Sequence, residues 1–271
     1  MMLSRTMIGV WALLFGLSAL GILPLACGDD DDDDGVLAEN PNPSGSGDTS
    51  DDDDDTTDDD TSDDDDDGVK TAFVVYPQGD VAEGNDFANF IERNSDFETV
   101  LIVETALDSA NLASADVFVL TPDTQWFSPA DYDAIHESNI PALAVGEGGS
   151  LFLAAVGSQI GYDDVVFSSE KQVRVEDASH EIFTEPNDLD VVDGETFSVM
   201  SDLTALYPPV TDDPSNSGVS TLATPVSNTA RGAIAFESRG YMNFGFDFET
   251  DNLTGLGADL FINCLEFLVT Q

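Results

Sequence analysis

Few side chains in this sequence are suited to covalent or acid–base chemistry, and their spacing argues against most of it. The chain has two histidines, His136 and His180, and two cysteines, Cys27 and Cys264. Ser150 follows the run Gly146-Glu147-Gly148-Gly149, which comes straight after the apolar segment Pro141 to Val145. A serine nucleophile with His180 or His136 as base is one arrangement, but the Gly-x-Ser-x-Gly spacing that strains and exposes such a serine is missing. Ser150 is read instead as a helix N-cap. His180, in Ala-Ser-His-Glu-Ile-Phe, reads as a half-buried ring fixed by a backbone hydrogen bond, and His136 as a cation favoured near a helix C-terminus. Cys264 lies on the stripe Leu256, Leu260, Cys264, Leu268, where a small buried apolar group is expected. The cluster Asp188, Asp190, Asp193, Glu195 offers hard oxygen ligands for calcium or magnesium, against the plainer reading of a solvated acidic loop. Trp126, Phe127, Tyr132, Tyr162 and Tyr241 fall near expected loops and suit either sugar stacking or packing.

The elements that must position these groups alternate in type. Thr71 to Tyr76, Thr99 to Glu104, Asp116 to Thr121 and Pro141 to Val145 read as strands. Between them, Asp86 to Arg93 reads as a short amphipathic helix, and Pro129 to Glu137 as a helix with Ser128 as N-cap and Pro129 at its first position. Gly146 to Gly149 reads as a turn, followed by a helix over Ser150 to Val156. From Val165 the rhythm becomes β-rich, with Gln172 to Glu176, Gly232 to Glu237 and Tyr241 to Phe246, before a closing amphipathic helix, Thr254 to Val269. The order predicts an α/β fold with a mostly parallel sheet, helices on both faces and a β-rich second half. In such a sheet ligands bind beyond the carboxyl ends of the strands, which singles out the turn after Val145.

Charge limits the partners. Of 55 acidic residues 21 lie between Gly28 and Gly68, leaving 34 in the segment 69–271 against six basic ones, Lys70, Arg93, Lys171, Arg174, Arg231 and Arg239. A balance of −28 there excludes nucleic acid, whose phosphates need Lys and Arg clusters. Residues 28–68 carry aspartate runs among Ser, Thr, Gly, Pro and Asn, too little apolar surface for a core, and are expected to form a disordered tether. The runs suit weak, unordered binding of divalent cations, since none has the alternating ligands and turn glycine of an EF-hand loop. No cofactor is implied.

Two resemblances add to this. Arg5, the apolar run Ile8 to Ile22, Pro24 and Ala26 lead to Cys27. The segment resembles the export signal of bacterial lipoproteins, which implies cleavage before Cys27, a lipid on that residue, and a position outside the cytoplasm at the outer membrane or cell surface. It departs from the family in having Pro24 and Leu25 where a leucine and a small residue are usual. The alternative is an uncleaved membrane anchor. The chain then divides into a signal at 1–26, an acidic tether at 27–68 and a domain at 69–271. The strand, glycine turn and helix start over Ile140 to Leu153 resemble the nucleophile elbow of class I glutamine amidotransferase-like domains, which include the trehalose-utilisation (ThuA-like) proteins. Gly245-Phe-Asp-Phe-Glu249 stands where catalytic members carry Gln-Phe-His-Pro-Glu. The resemblance implies a triad in which Gly146 replaces the cysteine and Asp247 the histidine, with Glu249 retained. The expected crevice comprises Gly146, Glu147, Gly148, Gly149, Ser150, His180, Asp247 and Glu249, serving a small ligand or an envelope protein. The alternative is a ThuA-like enzyme acting on sugars or related metabolites, with Glu147, His180, Asp247 and Glu249 as acid–base groups.

Overall fold

The computed structural model describes residues 68–160, 168–209 and 218–271. The export segment, Cys27, the aspartate runs and Tyr162 lie outside them. In chain order the elements are β1 (Thr71–Tyr76), α1 (Val81–Asn94), β2 (Glu98–Val103), β3 (Val117–Leu120), α2 (Pro129–Ser138), β4 (Ala142–Val145), α3 (Gly146–Ala155), β5 (Ser168–Glu170), β6 (Gln172–Val175), β7 (Thr196–Ser198), β8 (Thr204–Leu206), β9 (Val219–Pro225), β10 (Ile234–Glu237), β11 (Tyr241–Phe244), β12 (Phe246–Asp247) and α4 (Gly255–Val269). Among the described residues no helix is long and apolar enough to cross a membrane.

The central strands are apolar on both faces because helices cover both. Ala72, Val74, Val117, Val119, Leu143, Val145, Met242 and Phe244 pack with α1 and α4 in one core cluster, while the alternating Phe73, Val75, Phe118, Leu120, Ala142, Ala144 and Tyr241 pack with Ile135 of α2 and Phe152 of α3. Cys264 is buried on the α4 stripe with Leu260 and Leu268, and Leu256 of that stripe is exposed. The middle of α4 is tied to the loop around Asn187. Asn263, fully buried, accepts from Asn187 N at 3.0 Å and donates to Ile182 O at 3.0 Å and Asn187 O at 2.7 Å.

The sheet corrects the expectation of mostly parallel strands. Nine strands run in the order β2-β1-β3-β4-β11-β10-β9-β6-β7, and the first five are mutually parallel. Beyond β11 every pairing is antiparallel, so the sheet is mixed. The cause is connection length: only Ser238, Arg239 and Gly240 (φ 89°) join β10 to β11, and a parallel pair needs a crossover of a dozen residues or more. The expected strand over Tyr241 to Phe246 also breaks, at Gly245. There the chain leaves the large sheet, and β12 joins a second sheet of order β12-β8-β5.

Two helix starts differ from expectation as well. α1 begins five residues earlier than Asp86, with the Asp80 side chain accepting from Glu83 N at 3.2 Å as N-cap. α3 begins at Gly146, so the expected glycine turn forms its first turn and Ser150 lies inside the helix. The Ser150 hydroxyl donates to Gly146 O at 2.8 Å, four residues back, which corrects its reading as an N-cap.

The Asn263 clamp generates a test. Asn263→Ala removes the partner of the buried Ile182 carbonyl and of the half-buried Asn187 N–H and carbonyl, and a loss of about 1–3 kcal/mol is expected in urea unfolding of the purified protein. A loss below about 0.5 kcal/mol would show that the clamp is dispensable.

Candidate functional site

β4 passes into α3 through Gly146, the position at which a nucleophile elbow was expected. Gly146 follows β4 with φ +56°, in the left-handed region that favours glycine. A Cβ placed there would lie 3.0 Å from Asp247 Cα, 3.0 Å from Pro122 Cβ and 3.2 Å from Phe246 O. The next glycines are packed still more closely. A Cβ on Gly148 would meet Thr124 Oγ1 at 2.2 Å, and one on Gly149 would meet Ala144 C at 2.3 Å. The Gly148 amide, one of the free N–H groups of a helix start, donates to Pro122 O at 2.6 Å, and Gly148 O accepts from Trp126 Nε1 at 2.7 Å. The first bond pins the loop after β3 to the start of α3.

Of the expected crevice residues, the structure brings three to open clefts at the carboxyl ends of the strands. Asp247 and Glu249 line a cleft of about 680 Å³ with Asp80, Glu83, Asp86, Asp123 and Asp251. Glu147 lines a neighbouring cleft of about 600 Å³, which shares Asp80, Pro122 and Asp123 with the first. Gly146, Gly148, Gly149 and Ser150 are buried behind this surface. His180 is elsewhere. Its ring packs at a tilt against Phe267 (centroids 4.8 Å apart) in the last turn of α4, and its Nδ1 accepts from Ile182 N at 3.4 Å. Phe267 is twelve residues beyond Gly255, about 18 Å along the helix, beside the Glu266–Lys70 pair that precedes β1. The amino ends of the strands lie there, away from Asp247. Burial lowers the pKa of His180, against the opposing charges of Asp177 and Glu181.

Aromatic packing fixes the carboxylates. Phe248, between Asp247 and Glu249, is buried against Phe87, Phe244 and Phe261 at centroid distances of 5.6, 5.7 and 6.1 Å. With period two along an extended chain, its inward turn directs both neighbours outward. Burial, and then the charges of Asp123 and Glu147, push Asp247 up to about 6. Glu147 itself accepts from Tyr207 Oη at 2.9 Å. Among the described residues no Lys or Arg lines either cleft.

Sequence reasoning missed Asp80, Glu83 and Asp123. Asp80 and Asp123 follow β1 and β3 within four residues, so carboxylates just past strand ends of a parallel sheet were the available signal. Glu83 gave none, since it reads as an ordinary acid in the first turn of a helix. The acidic loop weighed as a metal site is instead held by its own backbone. Asp188, Asp193 and Glu195 accept from the amides of Asp190, Ala178 and Val192.

No family model matches the chain, and no curated protein is similar to it. Solved structures are. One described as ThuA-like, from Bacteroides uniformis, gives a TM-score of 0.50 at 13% identity over 74% of this chain and 92% of that one. The domain shares the fold of that ThuA-like structure. A GMP synthase component from Thermoplasma acidophilum gives 0.47 at 15% identity over 74% and 95%, and a glutamine amidotransferase from Thermotoga maritima gives 0.40 at 12% over 75% and 99%. At these identities the likeness extends to the fold and no further.

The raised carboxyl makes stability depend on pH. The native state holds the Asp247 proton up to about pH 6, whereas an unfolded aspartate releases it near 4. The penalty is absent below about pH 4 and grows to its full size above about pH 6, so stability falls as pH rises through that window. Melts of the purified protein should show a midpoint several degrees lower at pH 7 than at pH 5, with a smaller drop in Asp247→Asn. A midpoint that rises over this range, or an unchanged drop in the variant, would contradict the assignment.

Proposed function

We propose that this chain is an envelope lipoprotein, held by a lipid on Cys27 and a long acidic tether, whose amidotransferase-like domain binds a ligand and performs no covalent acyl transfer. The observation that carries the reading is Gly146. Acyl transfer through a covalent intermediate needs a nucleophile with a lone pair and a base within reach of it. Gly146 supplies no such atom, and a Cβ there would meet Asp247 Cα and Pro122 Cβ at 3.0 Å.

The surface that remains suits binding. Two clefts at the strand ends carry carboxylates among apolar and uncharged polar residues, with exposed Phe127 lining the second. A ligand or partner that fits them carries positive charge, because each carboxylate here is repelled by its neighbours and a cation relieves that repulsion. For a bacterial envelope, this means an amine, a cationic peptide segment or a metal ion.

The enzyme reading draws on one feature, the elevated Asp247, which has the pKa of a group able to exchange protons near neutral pH. His180, the imidazole it would use, lies at the opposite end of the strands.

Two measurements test the proposal. A panel of amide, ester and glycoside substrates should give no turnover above buffer, while turnover abolished by Asp247→Asn would establish the enzyme in its place. Mass spectrometry of the mature amino terminus should find acylated Cys27 as the first residue. An intact chain with an unmodified Cys27 would replace the lipid with the membrane-anchor reading.

A further inference from the structure

We infer that the second strand-end cleft is a docking site for an arginine side chain on a basic peptide segment, with Phe127 stacking on the guanidinium and Asp123 and Glu147 accepting from its N–H groups. This rests on the reading of the strand-end surface as a binding site for cations and names the group it takes. The cleft, of about 600 Å³, is lined by the loops after β1 and β3 and by the start of α3. Phe127 lines it while 71% exposed, and no large apolar side chain among the described residues is more so.

A single exposed phenylalanine is ordinary on a protein surface. Here the backbone that carries it is constrained to present it. From Asp123 to Phe127 burial alternates: Thr124 and Trp126 are buried, while Asp123, Gln125 and Phe127 are exposed and line the cleft. Trp126 has φ +52°, a left-handed conformation that a bulky residue holds only when its surroundings impose it. Its Nε1 donates to Gly148 O at 2.7 Å, and Thr124 Oγ1 donates to Thr121 O at 3.0 Å. Glu104, 1% exposed, spans the two loops of the cleft, with Oε1 accepting from Gln78 N at 3.2 Å and Oε2 from Gln125 N at 2.7 Å. The walls are therefore fixed before any ligand arrives. Backbone strain of the Trp126 kind clusters at segments that hold ligands.

Charge and shape decide the occupant. Asp80, Asp123 and Glu147 line the cleft, and among the described residues no Lys or Arg does. Tyr207 Oη donates to Glu147 Oε2 at 2.9 Å and so orients that carboxylate. A second copy of this chain, or its own acidic segment 28–68, would add like charge. A metal ion makes no use of Phe127. A guanidinium does, because it is planar, stacks on aromatic faces and pairs two N–H groups with one carboxylate, whereas an ammonium is a strongly hydrated point charge. The cleft alone has the size of a small-ligand pocket. It shares Asp80, Pro122 and Asp123 with the first cleft, however, where Leu203 is as exposed as Phe127. Two adjoining clefts with an exposed apolar side chain in each fit a chain segment, with arginine in the second and an apolar residue in the first.

The test uses the full chain in detergent at low ionic strength, titrated calorimetrically with acetylated and amidated Leu-Gly-Gly-Arg-Gly. The same peptide with lysine, or with the neutral isostere citrulline, in place of arginine serves for comparison. The arginine peptide should show one saturable site above the weak background of the aspartate runs. The lysine peptide should bind it at least about threefold more weakly, and the citrulline peptide should show no site. Phe127→Leu, which keeps an apolar side chain and removes the ring, should weaken arginine binding at least about threefold, while Phe127→Trp should preserve it. Glu147→Gln should weaken it about tenfold. Glu98→Gln, the same loss of charge at the start of β2, should leave it unchanged. Binding that Phe127→Leu leaves intact, or equal affinity for the arginine and lysine peptides, would overturn the assignment. If the lysine peptide alone finds a site, the assignment falls and the cationic-ligand reading stands; if neither peptide binds, both fall.

Discussion

The mouth of this sheet is held together by the absence of a side chain. At Gly146 the end of β4 meets Pro122 from the loop after β3, together with Phe246 and Asp247 of β12, with room for an α-carbon and little more. The left-handed backbone at φ +56° turns the chain from strand into helix within one residue, and the packed glycines behind it let the first turn of α3 rest on Ala144. The Gly148 amide then bonds Pro122 O and locks the β3 loop to the same point. Three strand ends are therefore positioned by one contact. The positions of Asp123, Glu147 and Asp247 around the clefts follow from it.

A Cβ at position 146 would stand 3.0–3.2 Å from backbone and proline atoms, so a side chain there requires its neighbours to give way. What the fold retains is the concave surface beyond the strand ends, and its lining is acidic. Burial, and after it the charges of neighbouring acids, raise Asp247 to about 6 and Glu83 to about 7. The aromatic cluster of Phe87, Phe244, Phe248 and Phe261 holds the segment against that repulsion, with ring pairs 5.4 to 6.1 Å apart.

Much of this was legible in the residues. The strands β1, β3 and β4 are short apolar runs, and their burial on both faces follows directly from that pattern. α2 was framed by Ser128 and Pro129, whose capping role the structure bears out, with Ser128 Oγ accepting from Ala130 N. The mixed sheet was less visible because strand direction depends on connections, and the three-residue link at Ser238 to Gly240 decides it without any strong propensity. The glycines at 146–149 misled for a physical reason. Glycine marks turns through its conformational freedom, but here three of the four residues serve close approach at a helix start. The acidic trio was hidden by distance in sequence, since Glu83 and Asp123 meet only after β1 and β3 pair.

The claim that Gly146 is a packing position is tested most directly by equilibrium unfolding of Gly146→Ala, which adds one methyl and no chemistry. A methyl there must occupy a left-handed residue and displace neighbours at 3.0 Å. The account predicts a loss of about 2–4 kcal/mol, from roughly 1–2 for the backbone conformation and roughly 1–3 for overpacking. A variant as stable as the parent protein would show that the elbow has space for a side chain, and would contradict the account.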